Sequence, residues 1–242
     1  YADWVTDFHS RRWGLDAYVE GRFDALGLRH AVVLGGNLSR VTSDDRFARR
    51  FTNGGNIFDV DHDRPAIDWA SLAAGSGTRF WHSGYDIEQK GVYGTWRMQL
   101  TPALTTIAGA RLSWYDYLYA DASYSSTMKE SAQPSPYLGA IYALTPEWSA
   151  YASYSDVFEP QSARTAAGDV LKPIVGRNAE VGVKGTLMEG KVNTSLALFR
   201  YDHRNRAVTD YGSGYACDDW YCSKSSGKVR SQGMEAEVSG EV

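Results

Sequence analysis

No stretch of eighteen apolar residues occurs anywhere in this 242-residue sequence, so a membrane-spanning helix is excluded. Basic excess is missing too. The 25 Lys and Arg stand against 29 Asp and Glu, a formal net charge of −4, which argues against a nucleic-acid-binding surface. The sequence opens at Tyr1 with no Met, basic segment or apolar leader, and it still alternates when it reaches Val242. Those ends predict a slice of a longer protein whose targeting signal lies elsewhere. Catalytic signatures are also lacking. The five histidines (His9, His30, His62, His82, His203) are scattered, with no HExxH and no pair at metal-ligand spacing. A lipase-like enzyme would rest only on scattered loop Ser, His and Asp, so no catalytic residue, metal ligand or cofactor is expected.

Cysteine is scarce. Cys217 and Cys222 are the only two, close together in a stretch rich in Gly, Ser, Asp and Tyr. An even, local pair predicts a small disulfide-closed loop in an oxidising compartment; two free thiols in a cytosolic loop is the competing reading.

Aromatics and glycine are plentiful: 16 Tyr, 8 Trp, 8 Phe and 24 Gly. The clearest pattern lies at 172–208. Gly176, Asn178, Glu180, Gly182, Lys184 and Thr186 alternate with Val175, Ala179, Val181, Val183 and Leu187, with Arg177 the exception on the apolar side. After a polar turn at Met188, Glu189 and Gly190, Val192, Thr194, Leu196 and Leu198 alternate with Asn193, Ser195, Ala197, Phe199 and Tyr201. A period of two over this length predicts a β-hairpin. Each arm has roughly the ten residues a tilted strand needs to cross a bilayer.

The same pattern recurs along the chain. Leu15, Ala17, Val19, Gly21, Phe23 and Ala25 oppose Asp16, Tyr18, Glu20, Arg22 and Asp24, and residues 1–13 are expected to be the outer end of a loop. Val32, Leu34, Gly36 and Leu38 form the next apolar face, with His30 joining it near the turn. Further strands are predicted around 92–100, 107–115, 136–144, 148–158 and 231–242. Tight turns are expected near 26, 102, 146 and 189, and long connections at 42–83, 119–134, 159–173 and 209–227. Alternating short and long connections mark an antiparallel up-and-down transmembrane β-barrel, with the long loops outside. About nine strands are visible, a partial set belonging to a larger barrel. Charges on the polar faces, Arg97, Arg111, Glu180, Lys184, Glu235 and Glu237, are expected to face inward.

Two loop features suggest binding. Asp59, Asp61 and Asp63 resemble the start of a calcium loop, but Arg64 and Pro65 stand where Gly is required and Ala70 where a bidentate Glu belongs. A solvated acidic loop is the better reading. Aromatics gather where strands enter the long connections: Trp114, Tyr117, Tyr119, Tyr154 and Trp220, with Trp81, Tyr211, Tyr215 and Tyr221 among their neighbours. Some belong to an interfacial girdle. Trp114, Tyr117, Tyr119, Tyr154 and Trp220 are the candidates for a ligand-gripping mouth, because such rings pack and hydrogen-bond together.

Taken together, residues 91–117, 135–161, the hairpin at 172–208 and 226–242 resemble the TonB-dependent ferric-siderophore receptors. Arg230, Ser231, Gly233, Glu235, Glu237, Gly240 and Glu241 fit that family's recurrent strand, and Phe158-Glu159-Pro160-Gln161 its corner. The cysteine pair ahead of a GKVRS strand is similar to the ferric-coprogen, rhodotorulate and pyoverdine branch. The resemblance implies a plugged barrel of about 22 strands in the bacterial outer membrane, with lipid around it. It implies a receptor that binds ferric siderophore outside and imports it with energy from the TonB complex. Iron would be carried within the siderophore. Residues 1–242 would then be a fragment of one barrel domain, lacking the N-terminal plug, the TonB-contacting region and the C-terminal strands. The rival readings are a passive porin-like channel and a secreted β-rich binding or adhesion module.

Overall fold

The computed structural model describes residues 2–51, 58, 67–217 and 220–241. The described elements run β1 (Ala2–Ala25), β2 (Leu28–Phe51), α1 (Trp69–Ala73), β3 (Arg79–Gln99), β4 (Leu104–Asp121), β5 (Ser125–Ala143), β6 (Trp148–Glu159), β7 (Ile174–Leu187), β8 (Val192–Asp210) and β9 (Cys222–Gly240). The nine strands form one antiparallel sheet in sequence order. The expected all-β, up-and-down arrangement and the strand number are both observed.

Register separates two faces along β6 to β9. Ala152 lies opposite Val181, Val181 opposite Leu198, and Leu198 opposite Met234. The neighbouring row on the same side is Ala150, Val183, Leu196 and Ala236. On the other side run Ser153, Glu180, Phe199 and Gly233, then Ser149, Lys184, Ser195 and Glu237. The apolar rows are open: Leu138, Val181, Leu198, Met234 and Val238 are all exposed. Among the described residues the buried apolar side chains are few, namely Ala48, Leu72, Met128, Leu171, Ala197 and Cys222. A large apolar side chain gains about 1.5–3 kcal/mol on leaving water. A face carrying row upon row of them therefore belongs against a non-aqueous environment.

Short turns close the hairpins at one end. Leu26 and Gly27 both take positive φ, 52° and 74°, the geometry that matches the twist of a two-residue hairpin. Beside that turn His30 is almost buried, stacked on Phe23 at 5.0 Å and tilted against Trp96 at 5.7 Å. The Trp96 Nε1–H donates to His30 Nδ1 at 3.2 Å. That acceptor role places the ring proton on Nε2, which donates to the Ala25 carbonyl at 3.1 Å. His30, expected on the apolar side near the turn, thus has both ring nitrogens satisfied.

At the other end the expectations need correction. Residues 2–13 are strand, not loop. The segment 42–83 begins as strand through Phe51 and resumes as strand at Arg79, with the five-residue α1 between, capped by Asp68 accepting from Ser71 N at 2.7 Å. The acidic run Asp59, Asp61 and Asp63 lies outside the described residues. The connection expected over 119–134 shrinks to residues 122–124. Asp121 Oδ1 accepts the backbone N–H groups of Ser123 and Tyr124, each at 2.8 Å, and closes a tight turn. Connection length therefore does not alternate strictly between short and long. The connection placed at 209–227 narrows to 211–221. The reason is common to all four segments: apolar and polar residues there do not sort cleanly by parity, so they read as loop.

Two compact units are recognised. Of the described residues, one comprises those within 2–14, 39–88 and 116–127; the other comprises those within 15–38, 89–115 and 128–241.

Candidate functional site

The candidate mouth residues fall into different surroundings. In the first unit, Tyr117 and Tyr119 lie on β4 an even number of residues from Arg111, hence on its polar face. Arg111 Nη2 donates to Asn37 Oδ1 at 2.8 Å, which fixes that face as polar. The Tyr119 hydroxyl donates to Asp121 Oδ2 at 3.2 Å, and its ring lies 6.4 Å from Tyr124. Burial pushes the Tyr119 phenol up. Backbone N–H from Ser123 holds the Asp121 carboxyl below its ordinary value.

The same unit contains an aromatic cluster that sequence reasoning did not single out. Phe47 packs on Trp4 at 5.0 Å and on Trp81 at 4.9 Å. The Arg49 guanidinium lies 4.6 Å from Phe51, 5.4 Å from Trp81 and 5.8 Å from Trp4, a set of cation–π contacts. Phe47, Arg49 and Phe51 are spaced by two, and that spacing was the available signal. Nearby, Asp44 accepts from His82 Nε2 at 2.8 Å, and this bond draws its carboxyl down.

In the second unit, register places one candidate and strand parity another. Tyr154 lies opposite Leu138 and Ala179, so its ring shares the apolar face, and its hydroxyl donates to Asp156 at 2.7 Å. Trp114 is an odd number of residues from Arg111 on β4 and so also faces the apolar side. Both rings therefore lie on the apolar side of the sheet, whereas Tyr117 and Tyr119 lie on the polar side.

Trp220 is different. It is 66% exposed in the 211–221 connection and packs edge-on to Tyr221 at 6.1 Å. Tyr221 in turn meets Tyr215 at 4.7 Å and Tyr211 at 5.1 Å. The hydrogen bond with Tyr215 raises the Tyr221 phenol. Beneath these rings Cys217 and Cys222 are joined in a disulfide with Cα atoms 5.1 Å apart, and Cys222 is buried. Cys217 and Trp220 exchange backbone hydrogen bonds at 3.0 and 2.9 Å. Ser223 N donates to the Arg164 carbonyl at 2.7 Å, tying this connection to the one at 160–173. Gln161 fastens the second connection by donating to Asn205 O at 2.6 Å and accepting from Ala207 N at 3.2 Å. The rings of this loop therefore stand on a braced frame. Among the described residues no group of three His, Cys, Asp or Glu gathers as a metal site.

The polar face below carries linked side chains. The Tyr151 hydroxyl donates to Glu180 at 2.5 Å, and Lys184 Nζ lies 5.0 Å from the Tyr151 ring centre. Tyr137 covers Gly109 and shares a hydrogen bond with Thr95. The expected inward charges Arg111, Glu180 and Lys184 thus lie within a polar network.

Residues 2–241 match the model of the family described as TonB dependent receptor-like, beta-barrel. The ferric-pyoverdine M114 receptor PbuA of Pseudomonas sp. (strain M114) is 38% identical over 98% of this chain and 29% of its own length. The ferripyoverdine receptor of Pseudomonas aeruginosa PAO1 is 34% identical over 94% of this chain and 28% of its own. Among solved structures, the pyoverdine outer membrane receptor FpvA from P. aeruginosa PAO1 bound to pyoverdine superposes with a TM-score of 0.80. That match has 32% identity and covers 99% of this chain and 34% of that one. The FpvAI–pyocin S2 complex gives a TM-score of 0.82 at 31% identity, covering 99% and 32%. The chain spans under a third of the length of the curated relatives just named.

Proposed function

The chain belongs to the TonB dependent receptor-like β-barrel family of the bacterial outer membrane, and from that premise we propose that it is part of a receptor that binds a ferric siderophore at its outer mouth and imports it with energy from the TonB complex. The observation that carries this reading is the 38% identity to a ferric-pyoverdine receptor across 98% of the chain. The siderophore class favoured is therefore a pyoverdine-like ferric chelate. Residues 1–242 are read as a segment of one barrel domain, with plug and TonB-contacting region supplied elsewhere in the receptor. The work is binding and release, and iron travels as cargo inside the chelate.

Tyr117 and Tyr119 in the first unit, and Trp220 in the second, are each proposed as ligand contacts. Tyr117 and Tyr119 stand on the polar face, and Trp220 stands exposed on the disulfide-braced connection. Such rings give a bulky chelate broad contact at small entropic cost. Trp114 and Tyr154, on the apolar face, are proposed as interfacial anchors. Growth of an iron-starved strain dependent on this receptor tests the reading. Ferric pyoverdine should support growth only when both the receptor and the TonB complex are intact. Equal growth without the TonB complex would point to a passive channel instead.

A further inference from the structure

The apolar face of β6 to β9 changes character abruptly along the strands. After the row Ala152, Val181, Leu198 and Met234 comes the row Tyr154, Ala179, Arg200 and Gln232. The next is Asp156, Arg177, Asp202 and Arg230, and beyond it Phe158, Val175 and Arg204. These side chains point to the same side as the apolar rows, because residues directly opposite in register share a face. Arginine on a lipid-facing row is costly at mid-membrane and tolerated only near an interface. The change therefore marks the edge of the apolar band, on the side away from the tight turns.

Two concavities meet at that edge. The upper one, about 660 Å³, is lined by Arg177, Arg200, Arg204, Lys228 and Arg230, with Asp156 and Asp202 as its carboxylates. The lower one, about 720 Å³, is lined mostly by small and apolar residues such as Leu138, Ala152, Val181 and Leu198, with Tyr154 and Glu180 also on its wall. Arg200 lines both. Within the upper concavity Asp202 sits between two guanidiniums, accepting from Arg200 Nε at 2.7 Å and from Arg230 Nε at 2.6 Å. One carboxylate thus holds two planar cations in place and leaves the trio with a net positive charge. Arg177, Arg204 and Lys228 are exposed, and no side-chain hydrogen bond or ion pair of theirs is found among the described residues.

We propose that this outward face binds the phosphate-bearing headgroup of an outer-leaflet lipid, with its acyl chains in the apolar concavity below. The occupant is defined by the chemistry. Phosphate oxygens suit guanidinium forks already ordered by Asp202, and hydrocarbon suits the groove that continues from them. A soluble anion would use the upper half alone. The outer-membrane setting rests on the family membership, while the siderophore reading plays no part.

The test uses the full receptor in detergent, with diphosphoryl lipid A as probe and native mass spectrometry as readout. Each cationic side chain near an anionic lipid contributes about fivefold in affinity. The triple variant R177Q/R204Q/K228Q, which leaves the Asp202 bracket intact, should bind the probe on the order of 100-fold more weakly while ferric-siderophore binding stays parental. The control K191Q, at a tight turn, should bind as the parent does. For the parent receptor, binding should weaken steeply as salt rises, a measurement that does not depend on any variant folding. Parental affinity in the triple variant, or no salt dependence in the parent, would overturn the proposal. So would dephosphorylated lipid A binding as tightly as the diphosphoryl form, or inorganic phosphate binding as tightly as the lipid.

Discussion

Tyr154 on β6 stands directly opposite Ala179 on β7, and that pairing commits its ring to the apolar face. A tyrosine there packs its ring against apolar neighbours and keeps its hydroxyl on Asp156. Tyr154→Ala should therefore lower yield and thermal stability by about 1–3 kcal/mol and leave ferric-siderophore affinity unchanged. Trp114→Ala should behave alike. Heat-modifiability on gels and a binding titration, run on the same preparations, separate the two effects. Loss of affinity at parental stability would return Tyr154 to the mouth.

Gly109 lies under the Tyr137 ring, and a Cβ placed there would sit 2.5 Å from the Gly94 carbonyl oxygen as well as against the ring. A backbone oxygen cannot step aside as a flexible side chain can. Gly109→Ala is expected to destabilise the full receptor by about 1–3 kcal/mol. Tyr137→Phe, which loses only the hydrogen bond to Thr95, should cost about 1 kcal/mol. Thermal unfolding in detergent checks the order of the two; equal stability of Gly109→Ala and parent would contradict the packing.

The disulfide between Cys217 and Cys222 closes a short loop, so the chain-entropy model gives it about 2–3 kcal/mol at most. Its expected effect is local. Replacing both with Ser should speed proteolysis within 211–221 and change the melting temperature little. Peptide mapping without reductant should find the pair linked in the parent; quantitative alkylation of both thiols would rule the bond out.

Asp121 titrates with a definite sign. Its folded pKa lies below the ordinary carboxylate value because backbone N–H groups bond the ionised form. The turn stabilisation is thus fully present above about pH 4 and is lost as pH falls through the depressed folded value. Amide protection at Ser123 and Tyr124 should exceed that of Asp121→Asn at pH 6, and the difference should fade on acidification. A difference that is independent of pH would contradict this.

What the sequence made legible follows from where one face is apolar and the other is not. Val181, Val183, Leu196 and Leu198 alternate because one side of β7 and β8 is apolar there, so the two strands and the Met188–Gly190 turn could be read directly. Beyond that band the signal fails for a physical reason. Residues 119–134 carry Tyr, Ser, Lys and Glu on both sides, and the turn at 122–124 is set by one carboxylate that periodicity does not reveal. The mouth candidates were chosen by position along strands; Trp114 is sorted by parity with Arg111 along β4 alone, whereas Tyr154 is sorted only by its partners Leu138 and Ala179 across the sheet. Arg177 was noted only as an exception to the apolar side and Arg230 only as part of the recurrent strand; Arg200 and Arg204 join them in basic rows only once β8 and β9 are paired.

Ferric-siderophore binding is tested most directly by fluorescence-quenching titration of the full receptor with ferric pyoverdine. Saturable quenching is predicted for the parent, and Tyr117→Ala, Tyr119→Ala or Trp220→Ala should weaken it by about 1–3 kcal/mol, roughly 5- to 150-fold in Kd. Parental affinity in all three variants would take specificity away from these aromatics, and absence of saturable quenching in the parent would contradict a pyoverdine-type ligand altogether.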